Sequence, residues 1–424
     1  MIKFLFKGII RDKSRSILPI VVISLGVSLT IVLSGFLSGA MTDMIDQNAR
    51  FEIGHVKIMS RAYAENKDQL PNDLALLGVD SLVTYLRSNY PDLQWVERIR
   101  FGGLLDAPDA EGESKGQGPA AGIAINLLDA ASGEIERMNI KKAIVSGELP
   151  KNSNEALIGD EFAKKLKLTI GDEVTYFGTT MNGSMTFQNL TISGTIRFGI
   201  SAMDKGAILL DISSARQMLD MQNGAGEILG FFDNGVYNDK AALALENSFN
   251  NQYESNPDEY APRMFTLRSQ NNLGDLLDYA NSMSAIFVVI FVGAMSVVLW
   301  NTGLIGGLRR YQEFGIRLAL GESKGRIYRS LMLEATLIGI IGSMIGTGIG
   351  LSGAFYLQNY GINIAGMVDN ASMMMPTVMR AKVSPNLYFI GFIPGVFAMV
   401  FGNMLSGIGI YKRETATLFK ELEV

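Results

Sequence analysis

The chain has no cysteine and a single histidine in 424 residues. The first absence removes disulfides, thiol nucleophiles and cysteine-based metal sites. With His55 alone, a zinc site built on a pair of histidines is excluded as well. The dipeptide Gly-Lys occurs nowhere, although the sequence holds 46 glycines. A phosphate-binding P-loop needs lysine directly after glycine in G-x-x-x-x-G-K-[ST], so a nucleotide engine of that kind is not encoded here. No block of the chain is uniformly basic and the formal net charge is −5, so nucleic acid is not an expected partner.

What is present is apolar sequence, and it is segregated. The hydrophobic share of 48% is ordinary for a globular protein, but the middle of the chain is polar and the apolar residues gather near the start and in the last third. Crossing about 30 Å of hydrocarbon takes about 20 mostly apolar residues. Four stretches qualify: 17–41, 283–307, 331–357 and 387–410. None carries a charge in its middle, where Lys, Arg or Asp costs roughly 2.5–3.5 kcal/mol. The first is longer than the roughly 7–15 residues of a signal-peptide core and reads as an uncleaved anchor.

Lys and Arg near the span ends set orientation. Lys3, Lys7, Arg11, Lys13 and Arg15 precede the first span, and Lys412, Arg413 and Lys420 follow the fourth. Between the second and third lies RRYQEFGIRLALGESKGRIYRS, residues 309–330, with six cations against two carboxylates. The loop between the third and fourth spans has only Arg380 and Lys382. All these flanks agree on both termini inside and residues 42–282 outside. The basic segment is then a cytoplasmic loop. Its pattern predicts a helix leaving the membrane, a tight break near Gly321, and a second helix running into the third span, with Glu322 or Ser323 as its cap. Read by composition alone, it is an ordinary positive loop lying on lipid headgroups.

The order of its residues adds a resemblance. Arg310 followed by EFGIRLALGES (313–323), then LMLEATLIGIIGSMIG at the start of the third span, is similar to the signature of the FtsX-like permease family of ABC transporters, in its MacB and lipoprotein-releasing LolC/LolE branches. The N-terminal KFLFKGIIRDKSRS resembles the amphipathic lead-in of that family, whereas the tail KRETATLFKELEV lacks the proline usual there. The resemblance implies an α-helical membrane protein with four transmembrane helices plus a large α+β extracytoplasmic domain inserted between helices 1 and 2. The parts are a cytoplasmic lead-in 1–16, spans 17–41, 283–307, 331–357 and 387–410, the outer domain 42–282, a coupling loop 308–330, an outer loop 358–386 and a cytoplasmic tail 411–424.

The coupling loop implies a docking contact with a separate ABC ATPase subunit, which would bind ATP and magnesium; this chain itself is expected to hold no cofactor and to catalyse nothing. The residues matching that contact are Glu313, Phe314, Gly315, Ile316, Arg317, Ala319, Leu320, Gly321, Lys324 and Arg326. Exposed ion pairs are typically worth about 0–1 kcal/mol each, so Phe314, Ile316 and Leu320 are expected to supply most of the docking energy, with Gly315 and Gly321 allowing close approach or a turn. The family further implies a second permease copy or paralogue, membrane lipids, a lipoprotein or an outer-membrane or periplasmic partner, and the bacterial inner membrane. Its mode of action is mechanotransmission, for lipoprotein release or for export of a drug, peptide or lipid-like substrate. The alternative is an FtsX-like protein that regulates a partner such as a cell-wall hydrolase without moving cargo.

Residues 42–282 read as mixed α and β. FEIGHVKIM near Phe51 is strand-like. EALIGDEFAKKLKLTIGDEVTYFG (155–178) reads as strand, short helix, turn, strand, and GAILLDISSARQML as strand then helix with Asp211 or Ser213 as cap. DAPDAEGESKGQGPA (106–120) reads as a flexible loop. By resemblance, 126–214 form a second subdomain inserted into a first made of about 45–125 and 215–270. The stretches TDMIDQNAR and RSQNNLGDLLDYANS beside the membrane are expected to extend their spans as helices.

Other residue types have plain readings. His55 lacks acidic or nucleophilic company and is expected to be structural. The pairs Asp160–Glu161 and Asp172–Glu173 sit at turn-like positions and read as solvated surface. Glu334, in the first turn of the third span, complements a helix N-terminus and is a candidate hinge. Gly342, Gly346 and Gly350, and Gly35 with Gly39, form small-residue faces suited to close helix packing. Met367, Met373, Met374, Met375 and Met379 of the outer loop read as interfacial packing rather than a substrate or copper site, and Trp300 as a membrane-interface residue.

Overall fold

The computed structural model describes residues 13–109, 112–270, 311–363 and 378–412, and part of the residues between 273 and 298. The expected second span 283–307 lies for the most part outside the described residues. Trp300, the lead-in up to residue 12, the tail from residue 413 and four of the five outer-loop methionines (all but Met379) also lie outside them. Two compact units divide the described residues: one holds those up to Asp43, Asp278–Ile362 and those from Val378, the other Met44–Leu277 with Asn363.

The first unit is helical. Helix α1 spans Lys13–Asn48, beyond the end of the apolar run at Met41. Helices α2, Tyr311–Ala319, and α3, Lys324–Asn359, follow. The last apolar run is split into Leu387–Ile390, a π turn at Ile393–Phe397 that holds Pro394, and α4, Ala398–Lys412. Proline lacks an amide hydrogen, so a bulge there is the expected consequence. Three helical stretches, 16–53, 324–359 and 387–405, are long and apolar enough to cross a membrane.

Glycine sets how closely α1 and α3 approach. A Cβ placed on Gly342 would stand 2.8 Å from Ile23 Cβ, one on Gly346 2.7 Å from the Ser24 carbonyl, and one on Gly350 2.9 Å from Ile31 Cβ. Ile23, Val27 and Ile31 of α1 are fully enclosed along this seam. The Ser24 hydroxyl donates to the Gly342 carbonyl at 3.1 Å, a contact open only to backbones this close. Gly35 and Gly39 lie elsewhere on α1. Gly35 faces Ala354 and Leu387 at ordinary contact distance, and Gly39 lies against the Arg380–Ala381 backbone.

The second unit is built on one sheet of ten strands. They are β1 Val56–Ser60, β2 Leu93–Pro108, β3 Ser114–Ile125, β4 Ile144–Gly147, β5 Glu155–Gly159, β6 Glu173–Thr179, β7 Met185–Ile196, β8 Ala207–Asp211, β9 Glu227–Phe232 and β10 Pro262–Thr266. The order runs β10-β1-β9-β2-β3-β8-β5-β7-β4, and β6 bridges β2 and β7. Strands β2, β3, β8, β5, β7 and β6 therefore close on themselves as a six-stranded ring, which removes the open edges an isolated sheet would expose.

The long strand β2 joins ring and open sheet. Residues 93–98 pair with β9, and from Ile99 onward the partner is β3. Its faces alternate, as the period of two requires. Leu93, Trp95, Ile99 and Phe101 enter the main core with the helices Val79–Asn89 and Asp239–Tyr253. Val96 joins the opposite cluster with Ala49, Ile53, Leu229 and Phe231.

Two local expectations are corrected. Phe51 is not in a strand: Ala49–Ile53 form a π turn closed by Gly54 N–H donating to Ala49 O at 2.7 Å, and the strand begins at Val56. Most of the glycine- and charge-rich stretch 106–120 is not a loop, because β2 runs to Pro108 and β3 starts at Ser114. Small residues there suit a strand laid against bulky neighbours: a Cβ on Gly118 would approach the Phe162 ring to 2.9 Å. Asp211 caps the helix after β8 by accepting from Ser213 N.

Gly346 and Gly348 separate packing from propensity. Gly346→Leu forces a side chain into α1 and is expected to destabilise by about 1–3 kcal/mol. Gly348, whose Cβ would meet nothing within 4 Å, should tolerate Leu within about 0.5 kcal/mol. SDS-titration unfolding of the purified chain measures both, and equal losses would show that this seam does not hold the helices together.

Candidate functional site

Two places concentrate unusual physics, one in each unit. The first is the elbow between α2 and α3. Helix α2 ends in a Schellman motif: Gly321 N–H donates to Leu318 O at 3.0 Å and Glu322 N–H to Arg317 O at 3.0 Å, the 5→2 and 6→1 bonds of that cap. Gly321 has φ +88 with open space around it, so backbone conformation rather than crowding requires glycine there. Arg317 clamps the turn by donating to both carboxylate oxygens of Glu322, at 2.7 and 3.0 Å. That hydrogen bond holds the Glu322 carboxyl below its ordinary range. Ser323 is the residue before α3, in extended conformation, but its side chain makes no capping bond.

The expected contact residues divide into two sets. Phe314 is enclosed, 1% exposed, in a cluster with Ile327 and Leu331 of α3, and Gly315 is buried beside it. Phe314 therefore holds α2 on α3 and offers no docking surface. Ile316 and Leu320 are 53% and 83% exposed, and Ala319 and Gly321 are exposed with them. Positions 316, 319 and 320 share one helical face. Arg326 is exposed, while Glu313, Arg317 and Lys324 are half-buried. Glu334 lies well inside α3, which begins at Lys324 and runs unbroken past it. The helix N-terminus is more than two turns away, so the expected dipole partnership is corrected.

The second place is the end of α1. A helix leaves its last carbonyls without amide partners, and here two arginines of β2 supply donors. Arg98 donates to Arg50 O at 2.7 Å and Phe51 O at 3.0 Å, and to Glu134 at 2.8 and 3.2 Å. Both side chains of this pair are 0% exposed. Arg137 also reaches Glu134 and stacks over Phe231 at 4.4 Å. Arg100 donates to Phe51 O at 3.2 Å. Lys57 and Glu227 pair at 2.9 Å on the neighbouring strands. Burial pushes the Glu227 carboxyl up, but Lys57 and Arg100 outweigh it and hold it below the ordinary range.

His55 closes this region. Its Nδ1 accepts from Phe232 N–H at 3.0 Å, and the ring packs among Phe231, Phe232 and Tyr237. Burial, then Arg50 and Arg137, lower its pKa to about 4. Asp160, expected on solvated surface, is buried and accepts from Lys164 at 2.8 Å and Arg197 at 2.7 Å. Asp172 binds the Thr169 N–H at 3.0 Å in its turn. Arg98, Arg100 and Glu134 carried no signal in the sequence, because cations alternating with apolar residues in a strand read as a solvent face.

Removing one partner of a buried ion pair strands the other's charge, so Arg98→Met should cost about 3–5 kcal/mol, with Arg98→Lys losing less. Denaturant unfolding measures this, and a loss under 1 kcal/mol would refute the clamp. His55 adds a pH dependence. Its proton is bound more readily in the unfolded chain, so stability is fully present above about pH 6.5 and falls as pH drops towards about 4. The full loss is about 3 kcal/mol. His55→Asn keeps an acceptor without that titration and should flatten the unfolding midpoint between pH 7 and pH 5.

Against this geometry the chain was compared with known proteins. The model of the MacB-like periplasmic core domain matches residues 16–248, more than half the chain, and that of the FtsX-like permease C-terminal region matches residues 285–415. The ABC transporter permease YtrF of Bacillus subtilis is 36% identical over 141 residues, 32% of this chain and 30% of that protein. The macrolide export ATP-binding/permease protein MacB of Neisseria meningitidis serogroup A is 36% identical over 111 residues, 26% of this chain and 16% of that protein. The chain thus spans less than a third of the length of these relatives in the regions it matches. The crystal structure of the periplasmic region of MacB from Actinobacillus actinomycetemcomitans aligns with a TM-score of 0.35 at 9% identity, covering 53% of this chain and 92% of that one. With apolar helices of spanning length on either side of the strand-rich unit, the chain is a membrane protein with a large extracytoplasmic domain, and it belongs to the FtsX-like family of ABC transporter permeases, with a MacB-like periplasmic core domain.

Proposed function

We propose that this chain is the transmembrane subunit of an ABC transporter of the mechanotransmission type. A separate ATPase subunit binds ATP and magnesium and docks on the elbow, and its closure moves the extracytoplasmic domain. The assembly holds two permeases, this chain twice or with a paralogue, in a bacterial inner membrane with both termini cytoplasmic. Its work is lipoprotein release or export of a drug, peptide or lipid-like substrate.

The elbow is the observation that supports the reading. Phe314 fixes α2 on α3 from within, so a push on α2 reaches a helix of 36 residues. The opposite face presents Ile316, Ala319 and Leu320 to the surroundings, and the exposed Arg326 near the start of α3 supplies charge. Apolar side chains give the energy of such a contact, roughly 1.5–3 kcal/mol for each one fully buried, and the cation steers an acidic partner. The Schellman end and the Arg317–Glu322 clamp keep the bend from flexing under load.

Leu320→Asp and Ile316→Asp should each weaken binding of the cognate ATPase about tenfold or more and abolish stimulation of its hydrolysis, while membrane insertion stays intact. Gly321→Val, which puts a β-branched residue at positive φ, should lose stimulation too. Co-purification with the ATPase and hydrolysis assays in reconstituted membranes read both. Unchanged binding and stimulation in all three variants would remove the elbow as the transmission element.

A further inference from the structure

A cavity of about 250 Å³ opens in the extracytoplasmic domain between the turn after α1 and the strand ring. Its walls are mainly apolar, with Phe51, Leu70, Phe101, Ile123 and Ile200 among them, and Arg100 and Glu52 give it a polar side. Three features distinguish it from a packing fault. Leu70 sits in the left-handed region, φ 51 and ψ 56, a conformation disfavoured for a residue with a side chain that persists only where the surrounding structure enforces it. Phe101 lies against the bare backbone of Gly122, where any Cβ would collide with its ring, so the ring forms a floor that a larger residue would displace.

Arg100 is the third feature. Among the described residues it makes one hydrogen bond, to Phe51 O, out of the five donors of a guanidinium; Arg98 beside it makes four. Its carboxylate neighbours stand off, Glu52 at 3.6 Å, and Glu227 at 3.9 Å from the enclosed Nε, which makes no hydrogen bond. Arg100 is the one cation among the described residues that line the cavity, and Glu134 neutralises the enclosed Arg98 behind it.

We propose that this cavity binds the apolar end of an anionic amphiphile, whose charged head is taken by Arg100. Sites that enclose whole drug-sized molecules run to roughly 300–1,000 Å³, so this one accepts a single acyl or aromatic group and leaves the rest of the molecule outside. Phe51 and Glu52 belong to the turn held by Arg98, so an occupant touches the turn that follows α1 in sequence. The site deepens the proposed function by naming a ligand class. It rests on that reading for the ligand's purpose and not for its binding.

Photolabelling tests it. The full chain in nanodiscs is irradiated with a diazirine-bearing dodecanoate and adducts are mapped by peptide mass spectrometry. Adducts are expected on peptides holding Phe51, Leu70 and Ile123, competed by excess dodecanoate. The corresponding neutral alcohol should label these peptides roughly tenfold less. Arg100→Gln should cut labelling about tenfold with partial rescue in Arg100→Lys, and Ala121→Trp, which fills the cavity, should abolish it, while adducts in the membrane helices persist as an internal control. A phosphatidylglycerol carrying the diazirine in an acyl chain forms the second arm: labelling of the same peptides assigns membrane lipid as the source, and labelling by the free acid alone assigns a soluble amphiphile.

Adducts confined to the membrane helices, adducts that excess dodecanoate does not displace, or equal labelling by acid and alcohol would each overturn the proposal on the wild-type chain alone, even if a variant fails to fold. ATPase stimulation is followed in parallel. Its absence with labelling intact counts against the coupling reading, and labelling lost with stimulation intact counts against this site.

Discussion

A helix that ends must hand its last carbonyls to some donor, and the π turn Ala49–Ile53 that prolongs α1 hands two of them to a fully enclosed arginine. Arg98 meets that demand from the neighbouring strand with two bonds to the carbonyls of Arg50 and Phe51 and two to Glu134. A guanidinium suits the place twice over, because its planar fork satisfies several acceptors at once and its charge opposes the negative end of the helix dipole. Glu134 then neutralises it, since an enclosed cation alone would be prohibitive. The position of Arg98 along β2 matters as much as its chemistry. It is the last residue paired to β9 before β2 turns to β3 and the ring, so one side chain ties the exit of α1 to the strand on which both halves of the domain are built.

The helical unit solves a different problem. Lipid gives apolar helices no hydrophobic reason to associate, so contact area and small residues decide. Gly342, Gly346 and Gly350 let α3 lie on α1 closely enough for Ser24 to reach a main-chain carbonyl. Gly395 of the π turn likewise lies against Ser343 of α3. Outward, the same helices show Leu25, Leu29, Met344 and Ile349, as a surface facing hydrocarbon requires. The elbow combines both logics, with Phe314 turned inward to hold α2 and Leu320 turned outward for a partner or a surface.

Much of the helical architecture could be read from residue order. The apolar runs 17–41 and 331–357, without central charge, lie within the helices 13–48 and 324–359, and the glycine at position 321 marked the break between α2 and α3. The strand–helix–strand at 155–179 followed from its pattern as well. Elsewhere composition misled. Glycine and charge at 106–120 suggested a loop, yet residues 106–108 and 114–120 lie in paired strands, where the small Gly118 makes room for Phe162. Phe51 stood in a strand-like string but is held in a helical turn by donors from another strand. The helix expected after the break at Gly321 does run into the third apolar stretch from Lys324, which leaves Glu334 ten residues inside it rather than at its N-terminus.

The sequence by itself determined where long apolar helices lie on either side of a polar middle, the absence of a P-loop motif, and the break at Gly321, because these depend on local composition and on backbone conformations few residues adopt. Tertiary structure alone decided that Arg98 and Arg100 serve the end of α1, that the strands close into a ring, and that Phe314 is spent inside the chain. Those outcomes depend on which distant segments meet, and a buried arginine and a solvated one are written with the same letter.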